Sequence, residues 1–259
     1  MPTQTPLTDA INALTTYANT VTGASDTTLS DAVATLAAGY GGGGTDTLDE
    51  VIRNTLTSYS NDYNGKLREQ LFLNCTNLET VSFPNVWEIS GGSFYNCQKL
   101  SSVNIPNVTS IWGDGGFRQC YALRALAVPK WERCLPGGAT FFNATGLEIL
   151  DCGNLHTNGF GNNYFVNAKL NTLIFRYNGI CPLNNTGAFN STPFANGGTG
   201  GTIYIPKALY DHLGDNSALD YKSASNWSTV DGWGTVTWAK IEGSYYETHY
   251  GDGTLIPTT

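Results

Sequence analysis

Five segments of this chain open on phenylalanine and follow one template. They are "FLNCTNLETVSFPNV" from Phe72, "FYNCQKLSSVNIPNV" from Phe94, "FRQCYALRALAVPKW" from Phe117, "FFNATGLEILDCGNL" from Phe141 and "FVNAKLNTLIFRYNG" from Phe165. The shared pattern is F-x-N/Q-C/A-x-x-L-x-x-V/L-x-I/V/F-P, and the last copy is one residue shorter. Its leucines stand at Leu78, Leu100, Leu123, Leu147 and Leu170, at intervals of 22, 23, 24 and 23. A degenerate sixth rung, "GTIYIPKAL", supplies Ile203 and Ile205. A sustained period in the twenties with an L-x-x-V-x-I core is the mark of stacked leucine-rich units.

The physics of such a period is restrictive. In "LSSVNI" the alternation puts Val103 and Ile105 on one face of a strand and Asn104 on the other. One rung cannot bury its own apolar face, so successive rungs must stack as a parallel sheet over a shared core. Pro106 ends the strand because it has no N–H to give the ladder. Leu100 is expected in the core, Phe94 under the next turn and Cys97 in a small interior slot. Gly-, Asn-, Thr- and Ser-rich composition with only 13% charged residues agrees with a turn-rich β chain.

These motifs resemble the BspA-like leucine-rich repeat family over roughly Leu48 to Trp227. The segments "YIPKALYDHL" from Tyr204 and "YKSASNWS" from Tyr221 add to the likeness. The resemblance implies a β-rich solenoid, with a parallel sheet of about six rungs. It also implies a binding role, in bacterial surface proteins or in phage tail-associated proteins. The linkers "VWEISGGSF", "VTSIWGDGGF" and "WERCLPGGATF" depart from the family's longer connection, which predicts an irregular side opposite the sheet.

The flanks differ from the repeats. In "TPLTDAINALTTYANTV", Leu7, Ile11, Leu14, Ala18 and Val21 share one helical face, and Leu29, Val33, Leu36 and Tyr40 do so in the next stretch. Together they predict an N-terminal α-helical hairpin that is too small to be stable without a partner surface. "GYGGGG" follows as a flexible linker. The expected organisation is residues 1–44 as hairpin and linker for assembly, 45–71 as N-terminal cap and first rung, 72–213 as the solenoid, and 214–259 as an aromatic C-terminal β cap and tail. The hairpin is expected to join copies of the chain into a homo-oligomer or to join it to virion proteins.

Chemistry is thin. His156, His212 and His249 lie in separate segments without metal-ligand spacing, and no nucleophile elbow or phosphate loop is present. "GDGG" and "GDGT" carry one acid each, too few oxygens for calcium. The reading is a non-enzymatic protein with no cofactor, no catalytic residue and no metal site. A net charge of −8 disfavours nucleic acid. No apolar run reaches the roughly 20 residues that span a bilayer, and the first residues do not read as a secretory signal. The six cysteines lack any C-x-x-C pair and read as buried thiols.

Recognition is therefore sought on surfaces. Aromatic side chains anchor interfaces and stack on sugar faces, which selects Tyr245, Tyr246 and Tyr250, with His249 beside them and Trp233 nearby. The alternative is the outward sheet face around Asn104, Ala125 and Asp151. The expected ligand is a host cell-surface glycan or protein. The expected location is the exterior of a phage particle, with a bacterial surface or secreted adhesin as the alternative.

Overall fold

A computed structural model describes residues 55–112, 115–135 and 137–241. The expected N-terminal hairpin, Tyr245, Tyr246, His249 and Tyr250 lie outside the described residues.

Among the described residues every strand pair is parallel. One line of strands comprises β1 (Ser58–Ser60), β3 (Thr80–Ser82) and β5 (Ser102–Asn104) as one sheet. It continues as a second sheet of β7 (Ala125–Ala127), β9 (Ile149–Asp151), β10 (Thr172–Ile174), β11 (Gly201–Pro206) and β12 (Val236–Ile241). Between them the chain lays down β2 (Lys66–Leu67), β4 (Glu88–Ile89), β6 (Ser110–Trp112) and β8 (Arg133–Leu135), which form a third sheet. Up to β8 each turn thus contributes a strand to one wall and then to the other. This is the rung-by-rung arrangement expected of a leucine-rich repeat solenoid.

The register matches the repeat. Val81 pairs with Val103, and Leu126 with Leu150 and then Leu173 and Ile203. Leu78, Leu100, Leu123, Leu147 and Leu170 are all fully buried beneath them. Asn104 alternates outward as the period-2 pattern requires.

The expected irregular side is instead the ordered sheet of β2, β4, β6 and β8. Its alternation was hidden in short segments. Leu67, Ile89, Ile111 and Cys134 point inward in register. Isolated bridges Arg133–Thr157 and Phe160–Leu183 extend the same wall.

The phenylalanines form a spine. Phe72, Phe94, Phe117, Phe141, Phe165 and Phe189 stack in sequence at 5.4, 5.1, 5.5, 5.6 and 5.6 Å, with ring planes within 16° of parallel. All six are fully buried. The spacing slightly exceeds the strand repeat of about 4.8 Å, and offset stacking is the geometry aromatic quadrupoles favour. Phe189 heads a sixth copy that the template missed, because "ANGGTGG" separates its head from Ile203.

The Asn or Gln two residues on has a backbone reason. Asn74, Asn96, Gln119, Asn143 and Asn167 all have φ between 58° and 64°, and Ser191 takes the same place in the sixth copy. Asparagine enters this left-handed region more readily than other non-glycine residues. The turn then aims its backbone along the stack: Phe94 N donates to Gly116 O at 2.9 Å and Asn96 N to Arg118 O at 2.8 Å. Cysteine in the next position donates backward, Cys97 Sγ to Phe72 O at 3.1 Å and Cys120 Sγ to Phe94 O at 3.2 Å. Thr192, at the same place in the sixth copy, instead donates within its own turn, Oγ1 to Phe189 O at 2.7 Å. All six cysteines are buried and none is in a disulfide.

At the far end, α1 (Lys207–Tyr210) and α2 (Ser225–Gly232) lead into β12. Trp227 and Tyr221 are buried against Phe175. Trp227 Nε1 donates to Cys181 O at 2.7 Å, and Cys181 N donates to the Tyr221 hydroxyl at 2.8 Å. β12 adds one more parallel strand to the sheet.

Candidate functional site

The outward face of the strand line changes character partway along. On β1, β3 and β5 its residues are Ser58, Ser60, Thr80, Ser82, Ser102 and Asn104. Ser58, Ser60 and Thr80 are exposed and the other three half-buried. Asn104 Nδ2 donates to Ser82 Oγ at 2.9 Å, so the amide is held flat along the ladder. Ser58, Ser60 and Thr80 are the members of this shallow strip most open to solvent. It can offer hydrogen bonds to a flat polar ligand, with little apolar area behind them.

On β7, β9 and β10 several of the same positions close, while Ile149, Thr172, Thr202 and Tyr204 stay half-buried and Thr237 is exposed. Ala125 and Ala127 are 6% and 7% exposed, Ile174 is 7% and Asp151 is fully buried. Ala125 and Asp151 were expected to be solvent-facing, and both are buried. Asp151 is enclosed because Arg176, two residues past its register partner Ile174, reaches across the strand pair. Arg176 Nε lies 3.1 Å from Asp151 Oδ1 and 2.8 Å from Oδ2, Nη2 lies 2.5 Å from Oδ2, and Gly153 N donates to Oδ1 at 3.0 Å. Such a forked pair fixes geometry more firmly than a lysine contact. The signal in the sequence was a charge in each of two adjacent copies, offset by two residues in register. A template that scores only apolar positions passes over it.

Trp233 is half-buried and packs against the main core beyond α2, so it supports the end of the stack as much as it meets solvent. Asn104 remains accessible. The structure therefore separates the members of the alternative face, leaving Asn104 open and enclosing Ala125 and Asp151.

A second polar ladder, missed in the sequence, runs along β2, β4, β6 and β8. Lys66 Nζ is 2.9 Å from Glu88 Oε1, which also accepts from Trp112 Nε1 at 2.9 Å. Lys66 lies 5.6 Å from the Trp112 ring, and Arg133 Nε donates to Ser110 Oγ at 2.9 Å. Glu88 is only 6% exposed, so its charge is answered within the ladder. Trp87, beside it, is one of the few large exposed apolar side chains.

The titratable groups do not converge. Burial pushes the Cys134 thiol up to about 12 and raises Cys97, Cys152 and Cys181 well above the usual thiol range, which makes them poor nucleophiles. The His212 ring, bonded to Asp215 at 2.7 Å, holds that carboxyl down at about 2. His156 stands apart, its ring 5.0 Å from that of Tyr177 and tilted by 32° to it. Among the described residues no group of three or more His, Cys, Asp or Glu is placed to hold a metal ion. No helix among them is long and apolar enough to cross a membrane.

Residues 65–192 match the family model of the BspA type leucine rich repeat region, in six copies. No curated protein and no solved structure matches the chain.

Proposed function

We propose that this chain, whose residues 65–192 are BspA-type leucine-rich repeats, is a non-enzymatic display and binding protein. The repeats form a rigid spacer and the outward sheet face meets the partner. The observation that carries this reading is the open polar strip of Ser58, Ser60, Thr80, Ser82, Ser102 and Asn104 on a fully packed scaffold. Its partner is a cell-surface glycan or protein that accepts hydrogen bonds over a flat area. Tyr245, Tyr246, His249 and Tyr250 add aromatic contact from the C-terminal segment. The N-terminal segment joins the chain to its own copies or to a particle.

The setting we favour is the exterior of a phage particle, where a spacer fixed at one end presents recognition at the other. The resemblance to repeats of phage tail-associated proteins, the acidic charge and the glycine linker support it. The second setting is a bacterial surface adhesin, supported by the same repeats. Mass spectrometry of purified phage particles and of cell-surface fractions from the source culture separates the two. For binding, Asn104→Arg and Ser82→Arg on the intact chain should abolish retention on intact host cells without changing the melting temperature. Undiminished retention refutes the polar strip as the recognition surface.

A further inference from the structure

The turns beside the phenylalanine spine depart from their template in one copy. The third copy reads "FRQCYAL" where its neighbours read "FYNCQKL" and "FFNATGL". It alone has a cation after the phenylalanine. Arg118 Cζ lies over the Tyr95 ring at 5.2 Å and over the Phe142 ring at 4.8 Å. Tyr95, Arg118 and Phe142 hold the same position in successive copies, so the guanidinium sits between two rings at close to the strand repeat of about 4.8 Å. Gly115 makes room for its stem, since a Cβ there would meet Arg118 Cβ at 3.3 Å and Cδ at 3.5 Å. Arg124 and Arg176 each meet a carboxylate. Arg118 does not: among the described residues no acceptor reaches its guanidinium, and its Nε is buried without a partner. The residue is half-buried and only Nε is shut off, so the outer Nη edge meets water. The polar ladder breaks at the same turn. Asn96 Nδ2 donates to Asn74 Oδ1 at 2.9 Å and Asn167 Nδ2 to Asn143 Oδ1 at 2.7 Å. Gln119 stands between these pairs, half-buried, and its amide has no partner among the described residues. Tyr121, in the same turn, is 40% exposed.

We infer that this turn is a binding site for an acidic sugar, a ring of the uronic-acid class, with Arg118 reading its carboxylate. A buried donor without an acceptor is unfavourable and calls for an explanation. A guanidinium fork clamped between two rings has little orientational freedom to lose, and its planar edge matches the two oxygens of a carboxylate. The Gln119 amide offers a donor and an acceptor to ring hydroxyls, and Tyr121 offers an aromatic face to the apolar side of a sugar. The net charge of −8 disfavours polyanions such as nucleic acid. One unpaired cation beside amides and aromatic rings suits one carboxylate on an otherwise neutral, hydroxylated body. The site lies on the turns and not on the strands, so it stands or falls independently of the strip of Ser82, Ser102 and Asn104.

The test titrates trigalacturonate into the full chain, with maltotriose as the neutral sugar and hexaglutamate as the acidic peptide. The Arg118 Nε–H resonance, assigned through its own backbone in the isotope-labelled chain, should shift saturably with trigalacturonate and stay still with maltotriose. Arg118→Lys keeps the charge and loses the fork, so calorimetry should find trigalacturonate bound at least about tenfold more weakly. Gln119→Ala leaves the clamped guanidinium in place and should weaken binding about threefold, the loss of one neutral hydrogen bond. Absence of a saturable shift up to about 20 mM trigalacturonate, a weak-binding limit, overturns the proposal on the unmodified chain, whatever the variants do. Undiminished affinity in Arg118→Lys overturns it as well. Hexaglutamate bound as tightly as trigalacturonate overturns the sugar and assigns the site to an acidic protein segment.

Discussion

The Asp151–Arg176 pair offers a sharp test of how the outward face is built. Asp151 has no exposed surface and the Arg176 side chain is 9% exposed. The carboxylate takes both guanidinium contacts and the Gly153 N–H. Replacing Asp151 by Val leaves a guanidinium enclosed without its counter-charge. Replacing Arg176 by Met leaves the carboxylate with the Gly153 N–H as its remaining bond from this set. Breaking a buried pair from one side costs about 3–5 kcal/mol, which in a domain of this size lowers the melting temperature by roughly 6–20 °C. Most of that cost is the stranded charge, so removing both charges removes it. The double variant should fall within about 2 kcal/mol of the native chain, giving a coupling at or above the roughly 3 kcal/mol upper end for residues in contact. Urea unfolding of the four proteins at low and high salt measures it, and a buried pair should respond little to salt. Additive single effects below about 1 kcal/mol each, vanishing in salt, would show a solvent-screened pair and refute the enclosed face.

Phe117 is fully buried between Phe94 and Phe141, so Phe117→Ala should lose about 3–5 kcal/mol in urea titration, whereas Asn104→Ala should lose under about 0.5 kcal/mol. Ala139 holds φ at 72° where its counterparts in two other copies are Gly92 and Gly115; Ala139→Gly should be neutral to stabilising by up to about 1 kcal/mol, since left-handed strain of roughly 1–2 kcal/mol outweighs the entropy of glycine. Mass spectrometry after alkylation at pH 8 should show little modification of the native thiols while folded and six additions once unfolded, because burial raises their pKa values. Burial acts to raise the Asp220 carboxyl, but the Gly214, Lys222 and Asn216 N–H bonds outweigh it and leave it lowered. Its contribution is therefore present above the unfolded value of about 3.9 and lost as pH falls through the folded one, so the stability gap between native chain and Asp220→Ala should narrow below about pH 4 in parallel urea titrations.

Much of the scaffold is legible in the chain. Leu100, Val103 and Ile105 announce an inward face by spacing alone, and five phenylalanines at near-constant period announce a stack. Those inferences hold because each rung repeats the same local problem, so one solution is written again and again. The sheet of β2, β4, β6 and β8 was harder to see. β4 and β6 are two and three residues long, and a pattern of period 2 needs more than that to rise above chance. The sixth phenylalanine was obscured for a related reason, since an insertion broke the count between Phe189 and Ile203.

What a residue faces across the stack is not a local property. Period 2 places Asn104, Ala125 and Asp151 on the same outward side, and that much the sequence determined. Whether outward means wet depends on what neighbouring rungs bring alongside. Arg176 reaches Asp151 only because β10 lies in register beside β9, and that pairing spans 25 residues of chain. The order of side chains along the chain dictates strand, turn and core through contacts a few bonds away. The charge pair and the enclosure of Asp151 come from contacts between turns of the coil, so only the tertiary structure decided them.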